Sequence, residues 1–390
     1  MPEPAKALTA FAIRHKADGQ DRSAKSTDNI NRKDEGKMAK HTVAVIGCGT
    51  IANNAHIPCY SKNPDVKIKY LCDIIPEKAQ AAVEKFGCGT AITDYHDILN
   101  DPEVDAVSIC TPNKLHSTIA IDCLRAGKNV LSEKPAARTY EEALEMQRVQ
   151  HETGKVLNIG VVNRFDKHVN LIKNYIDDGR LGKVHHVYIS FRDYRTLPGL
   201  GSWFTTKDIS GGGVLIDWGV HFIDLVMYCC GSPKPITVTG ETFCKLGKNM
   251  EDYAYLNMWA GPPTYNGTYD VEDSITGMIR TDGPVISFNG AWAQNINHNE
   301  MYIDFMGDKG GIRLTYLGDF TYYSFSHGAL EEFKPSLRQD EGSFQKEINA
   351  FLRCTETGEK LPSHIDNVVV TAQIMQAIYD SADSHREITL

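Results

Sequence analysis

Apolar positions between residues 41 and 163 fall in short runs separated by stretches of helical spacing. Val43–Ile46, Lys67–Cys72, Val104–Cys110, Asn129–Ser132 and Val156–Val162 read as strands buried on both faces. Helices are predicted to begin near Ile51, to span Pro76–Phe86 up to Gly87, to follow His116, and to cover Thr139–Thr153. Five parallel strands with right-handed crossovers are therefore expected, an α/β N-terminal domain of the Rossmann type over residues 41–163. Beyond it the rhythm changes. A helix at Lys167–Asp177 precedes long alternating segments at Val184–Tyr194, Ile236–Cys244, Asp270–Arg280, Val285–Ala293, Met301–Met306 and Gly311–Tyr316. Thr281-Asp282-Gly283 and Asp308-Lys309-Gly310 read as hairpin turns. The expectation over 164–390 is an α+β C-terminal domain with a large open, mostly antiparallel sheet, closed by helices at Ser343–Cys354 and Asp366–His385.

The first strand runs into Gly47-Cys48-Gly49-Thr50-Ile51-Ala52. Gly47 allows a sharp turn, Gly49 lets a pyrophosphate approach the backbone, and Ala52 is small where helix meets strand. Thr50 and Ile51 lead into a helix whose N–H groups and dipole favour an anion. With a strand before it and a helix after it, this G-x-G-x-x-A stretch points to a dinucleotide rather than to a tight turn alone. Asp73 ends the second strand 26 residues past Gly47. An acid there accepts hydrogen bonds from ribose hydroxyls and repels a 2′-phosphate, and no Arg adjoins Ile74 and Ile75, which favours NAD over NADP. The other reading of Asp73 is a cap on the helix starting at Pro76. Thr111, Pro112 and Asn113 close the third strand, where such sheets bind ligands. His116 is either a cofactor contact or a surface histidine at a helix start.

A net charge of −9 argues against nucleic acid or an anionic membrane as partner. No apolar run approaches the ~20 residues of a bilayer span. The ten cysteines lack any C-x-x-C pairing or Cys/His cluster, so no metal is expected. Cys72, Cys110 and Cys123 sit in apolar runs and read as reduced, buried thiols of a cytoplasmic protein; the Cys229–Cys230 pair reads as structural. Residues 1–40 hold nine Lys/Arg against six Asp/Glu with little periodicity, and Met38 would make a natural start. They are expected to be a flexible leader, neither a secretory signal nor a transit peptide.

Four motifs in order carry a resemblance: Gly47–Ala52, Cys110-Thr111-Pro112-Asn113 with His116, Glu133-Lys134-Pro135, and Gly211 through Asp224. From about His41 onward the chain resembles the glucose–fructose oxidoreductase/inositol dehydrogenase (Gfo/Idh/MocA) family. The resemblance implies a Rossmann domain, a second domain with an open sheet that often builds dimers or tetramers, and NAD contacts extending to Glu133 and Lys134. By position it implies that Lys134, Asp217 and His221 are catalytic. The residues support it independently. Asp217 and His221 are four apart, on one face of a helix, and the glycines before them permit close approach to a ligand. Partial desolvation at the strand end makes the Lys134 amine a usable base. Lys134 could instead hold the nicotinamide ribose, and Asp217 could be a helix cap.

The mechanism so implied has a base taking the proton of a sugar hydroxyl while the carbinol hydride passes to nicotinamide C4. His221 is the first choice for base and Lys134 the second, with Asp217 orienting and balancing charge. Asn163 and Arg164, at the end of the fifth strand, line the same cleft in this reading; Arg164 could also be a surface ion-pair residue. Arg192, Tyr194, Trp203 and Trp218 are the candidate substrate residues, since aromatic faces beside polar groups suit sugars and aromatic aglycones. Trp292, in mid-strand, goes to the core. The Asp-Trp-Gly-Val-His form of the motif resembles members that oxidise the C3 hydroxyl of glucosides, C-glycosides included. A redox-neutral glycosidase acting through transient C3 oxidation and a non-catalytic sugar–nucleotide sensor are the competing expectations. The expected partners are a small sugar or glycoside and further copies of the chain.

Overall fold

The structure is a computed structural model and describes residues 39–390; the leader expected over 1–40 lies almost wholly outside the described residues. The first sheet has six parallel strands: β1 His41–Ile46, β2 Val66–Cys72, β3 Thr90–Ile92, β4 Ala106–Ile109, β5 Asn129–Glu133 and β6 Leu157–Gly160. Their order is β3-β2-β1-β4-β5-β6, which sets the carboxyl ends of β1 and β4 side by side where the strand order reverses. Five strands were expected. The sixth, β3, is a three-residue edge strand, too short to show a period. The last predicted strand also ends early, because residues Val162–Phe165 turn into a 3-10 helix that holds Asn163 and Arg164.

Both faces of this sheet are apolar, as its double burial requires. Val43 and Val45 point to one side and Ala44 and Ile46 to the other. Each side is completed from the far end of the chain. Helix Ser343–Thr357 adds Ile348, Phe351 and Leu352 to the first, and helix Ile365–Ser384 adds Ile365, Val368 and Ala372 to the second. The latter helix then carries Ile374, Met375 and Ile378 into the core of the second sheet, so it pins the two layers together.

The second sheet comprises β7 Val184–Arg192, β9 Pro235–Phe243, β11 Ser274–Thr281, β12 Val285–Ala291, β13 Glu300–Gly307, β14 Gly310–Thr315, β15 Phe320–Ser326, β16 Ala329–Phe333 and β17 Ile388–Thr389. Every pairing is antiparallel except β7 with β12. The hairpin β15–β16 was not anticipated; β16 is exposed along its whole length, so it carries no alternation. A two-stranded ladder, β8 Thr196–Leu197 with β10 Asn257–Met258, stands apart from both sheets. Helix Val220–Cys229 is apolar almost all round and lies in the core against the sheet. One expectation needs correction here: Lys207–Cys229 is long and apolar enough to cross a membrane by length and composition, but 89% of its most apolar window is buried inside the fold, as a core helix would be.

Candidate active site

At the end of β1 the chain turns through Gly47 at φ +92°. A Cβ there would lie 2.5 Å from the Cys110 carbonyl oxygen, so only glycine lets the β1 and β4 turns touch. At Gly49 an added Cβ would meet nothing within 4 Å, which leaves the face of the loop open. Thr50 and Ile51 lead into a π-helical turn, Ala52–His56, continued by helix Ile57–Ser61. Across the loop Thr111 keeps a buried hydroxyl with no protein partner. An open glycine face opposite an unsatisfied hydroxyl at the switch point fits a dinucleotide.

Asp73 accepts hydrogen bonds from the Cys48 and Ile75 backbone N–H groups, both at 2.9 Å. It thereby fixes the glycine loop to the end of β2 and retains lone pairs for a ribose diol. It does not cap the following helix, whose N-cap is Ile75 without a side-chain bond. Ile74 beside it is 82% exposed, an apolar surface next to the carboxylate. Asp73→Ala should bring the Kd values for NAD and NADP together, mainly by weakening NAD; calorimetry showing an unchanged ratio would reject the ribose assignment.

Three residues expected at the cofactor serve as braces. The Asn113 amide donates to the Ser210 carbonyl at 2.7 Å, tying this loop to helix Lys207–Ser210. His116 is fully buried, not on the surface. Its ring nitrogens lie 2.8 Å from the Pro135 oxygen and 2.9 Å from the Thr111 oxygen, so the ring holds two site loops at fixed spacing. Glu133 is buried too. One oxygen meets His56 at 2.9 Å and the other accepts from the Lys134 N–H at 3.1 Å. Burial opposes its charge, but His56 and Lys134 outweigh burial and hold the carboxyl below its ordinary range. His56 continues through Ser108 to Tyr60, a buried polar chain under the Lys134 turn. Pro112 shapes the loop as the N-cap of the short 3-10 helix that follows.

The Lys134 ammonium reaches across the cleft. It donates to the Asp217 carbonyl at 2.9 Å and lies 3.5 Å from Oδ1 of the same residue. The other carboxylate oxygen accepts from the Trp292 indole N–H at 3.1 Å. Burial raises the Asp217 pKa above its ordinary value, and Lys134 and Trp292 work against that rise. His221 lies one turn on, at the start of helix Val220–Cys229. Burial, together with the charge of Lys134, pushes its pKa well below the ordinary value, so the ring is a neutral imidazole at neutral pH.

Asp217 itself sits in a π-helical turn, Leu215–Gly219. Its start is gripped by buried Glu272, which accepts from the Gly213 and Leu215 N–H groups at 2.9 and 3.0 Å and from the Tyr379 hydroxyl at 2.9 Å. Gly213 is required because a Cβ there would collide with the Glu272 carbonyl. Trp292, Glu272 and His56 were not foreseen as parts of the site. Trp292 is as buried as expected, but its single polar atom points at Asp217.

The remaining candidates divide. Asn163 donates to the Tyr316 hydroxyl at 3.2 Å, and the Tyr316 ring stacks on Phe222, the neighbour of His221. Arg164 neither lines the cleft nor reaches the surface. It is 2% exposed and makes a two-pronged pair with Asp224 at 2.8 and 2.7 Å, with further bonds to the Pro362 and Asn367 carbonyls. Trp218 belongs to the core of the second sheet rather than to a pocket. Arg192 pairs with Glu300 across β7 and β13. Tyr194 is partly exposed under the Arg195 guanidinium, and Trp203 stacks on Phe204 at 3.7 Å between centroids. Among the described residues no group of three or more His, Cys, Asp or Glu is placed to hold a metal ion.

Residues 41–161 match the family described as "Oxidoreductase family, NAD-binding Rossmann fold", and residues 169–313 match the "GFO/IDH/MocA C-terminal domain". The chain is 29% identical over 350 residues to D-glucoside 3-dehydrogenase of Escherichia coli K12, covering 89% of this chain and 97% of that protein. It is 31% identical over 256 residues to levoglucosan dehydrogenase of Pseudarthrobacter phenanthrenivorans, covering 64% of this chain and 65% of that one. A solved structure of levoglucosan dehydrogenase with NADH and L-sorbose superposes with a TM-score of 0.77 at 25% identity, over 90% of this chain and 99% of that chain.

Proposed function

We propose, from the premise that this chain belongs to the GFO/IDH/MocA family of NAD-dependent oxidoreductases, that it oxidises the C3 hydroxyl of a sugar or glycoside to a ketone. The observation that carries the reading is the Lys134–Asp217–Trp292 grip one helical turn from a neutral His221. Support for C3 comes from the relative named D-glucoside 3-dehydrogenase, which aligns over nearly its whole length.

NAD, when bound, supplies the hydride acceptor. The protein's share is position and a proton path. Backbone from Gly47 to Ile51 would hold the pyrophosphate, Asp73 the adenosine ribose, and Thr111 the nicotinamide half. His221 takes the hydroxyl proton on its neutral ring. Lys134, steered by Asp217, donates to the oxygen as it gains negative charge. Residues 41–163 thus carry the dinucleotide side and residues 164–390 the sugar side. The ten free thiols suit a reducing compartment.

The test is mass spectrometry of methyl β-D-glucoside after incubation with protein and NAD. A product two hydrogens lighter with its glycosidic bond intact, slowed by deuterium at C3, is expected. Released methanol without a keto product would mean hydrolysis, and no reaction across a panel of glycosides would reject the reading.

Trp292→Phe keeps the buried ring and deletes the donor to Asp217. That bond favours the carboxylate, so without it the Asp217 pKa climbs further and the acid limb of the rate profile moves to higher pH. Turnover at neutral pH should fall about tenfold, the order of one hydrogen bond to a charged group. A profile superimposable on the parent's would show that the contact is packing alone.

A further inference from the structure

Residues 194–206 and 253–270 fold against each other as one flap. The ladder β8–β10 joins them, along with backbone bonds from Leu256 to Arg195, from Thr264 to Leu200 and from Asp270 to Thr205. Leu197, Leu200 and Tyr253 anchor the flap in the core of the second sheet. Its base adjoins the catalytic groups: the Thr196 N–H donates to the Trp292 carbonyl at 2.9 Å, and the Trp292 indole donates to Asp217. Its far end runs into helix Lys207–Ser210, which Asn113 binds from the cofactor loop. The flap is therefore fastened to both halves of the site.

Aromatic rings gather on it. Trp203 stacks on Phe204, and Phe204 meets Trp259 edge to face at 4.9 Å between centroids. Trp259 remains 39% exposed, Tyr265 50% and Leu256 78%, with Tyr255 also exposed. Several of the flap's polar side chains are spent on hydrogen bonds within it, while Thr264, Asn266, Thr268 and Asp270 stay exposed around the rings. Tyr255 and Tyr265 share a hydrogen bond, Thr205 donates to the Thr268 carbonyl, Ser202 to that of Gly199, and Thr206 to that of Ser202. The exposed apolar surface of the flap is made of ring faces and the Leu256 side chain, which suits a flat apolar group.

We propose that the flap binds the aromatic aglycone of a glycoside whose sugar occupies the Lys134–Asp217–His221 site. This rests on the dehydrogenase reading above and adds the substrate class. Trp259 is the specificity-determining residue, because its exposed ring can be cut back without opening the core.

The test compares phenyl β-D-glucoside with methyl β-D-glucoside, by mass spectrometry for turnover and by quenching of tryptophan fluorescence for binding. The parent should prefer the phenyl compound. Trp259→Ala should lower kcat/KM for it by about tenfold through KM while the methyl compound changes less than about twofold, the scale of one lost ring–ring contact. Trp259→Phe should restore most of the difference. Equal losses on both substrates, or no parental preference, would overturn the assignment. So would a change of oligomeric state in Trp259→Ala by light scattering, which would make the patch a contact between copies. Saturable quenching by the phenyl glucoside without oxidation of either compound would support the subsite and overturn the dehydrogenase reading.

Discussion

Lys134→Met lowers turnover by a factor of ~10²–10³ and leaves NAD affinity close to that of the parent. Methionine keeps the length of the side chain and its packing, but it cannot donate to Asp217 or to a substrate oxygen. The Lys134 N–H still bonds to Glu133, so the turn keeps its shape. The glycine loop and Asp73 lie on other loops, so the dinucleotide keeps its contacts there. Lys134→Arg should not rescue, because a planar guanidinium cannot repeat the ammonium's contacts with both the carbonyl and carboxylate of Asp217. His221→Ala should show a loss of similar size. Single-turnover rates beside calorimetric Kd values check this, and near-parental rates in both variants would move the chemistry elsewhere.

Arg164→Ala should cost roughly 3–5 kcal/mol of stability, because it strands the Asp224 carboxylate in the core. The pair is about 1% exposed on each side, and Asp224 has one further donor, the Thr371 hydroxyl at 3.0 Å. Arg164 also ties down Pro362 and Asn367, at the approach to and in the first turn of helix Ile365–Ser384. The double change Arg164→Met with Asp224→Leu removes both charges and should recover much of the loss. Denaturant titration measures both. A single variant as stable as the parent would show that the buried pair contributes nothing to stability.

The features that could be read from the chain are those decided within a few residues. Pro76 at a first turn and Gly87 at a left-handed end delimit a helix wherever they occur, and its bounds are the predicted ones. The glycine loop and the four-residue step from Asp217 to His221 are equally local. What escaped depends on partners far along the chain. Trp292 meets Asp217 across 75 residues, Glu272 meets Leu215 across 57, and Arg164 meets Asp224 across 60. Nothing in the composition around Trp292 marks the direction of its N–H. The surface alternative for His116 fails for the same reason: a histidine at a helix start says nothing of the two carbonyls that enclose it. The π-turn at Leu215–Gly219 left no trace either, since one extra residue in a helical turn changes no residue type.

The return of the last two helices to the first sheet bears on how the chain is made. Strand β6 leaves the ribosome about 180 residues before Ser343, and Ile348, Phe351 and Ile365 are the side chains that finish both faces of the β1–β6 layer. At ~5–20 residues per second, that layer waits on the order of 10–40 s with apolar surface open on each side. The nucleotide-binding half therefore completes its core only once Ser343 and the residues beyond it have been made. Until then its two open apolar faces are where misfolding and aggregation would start.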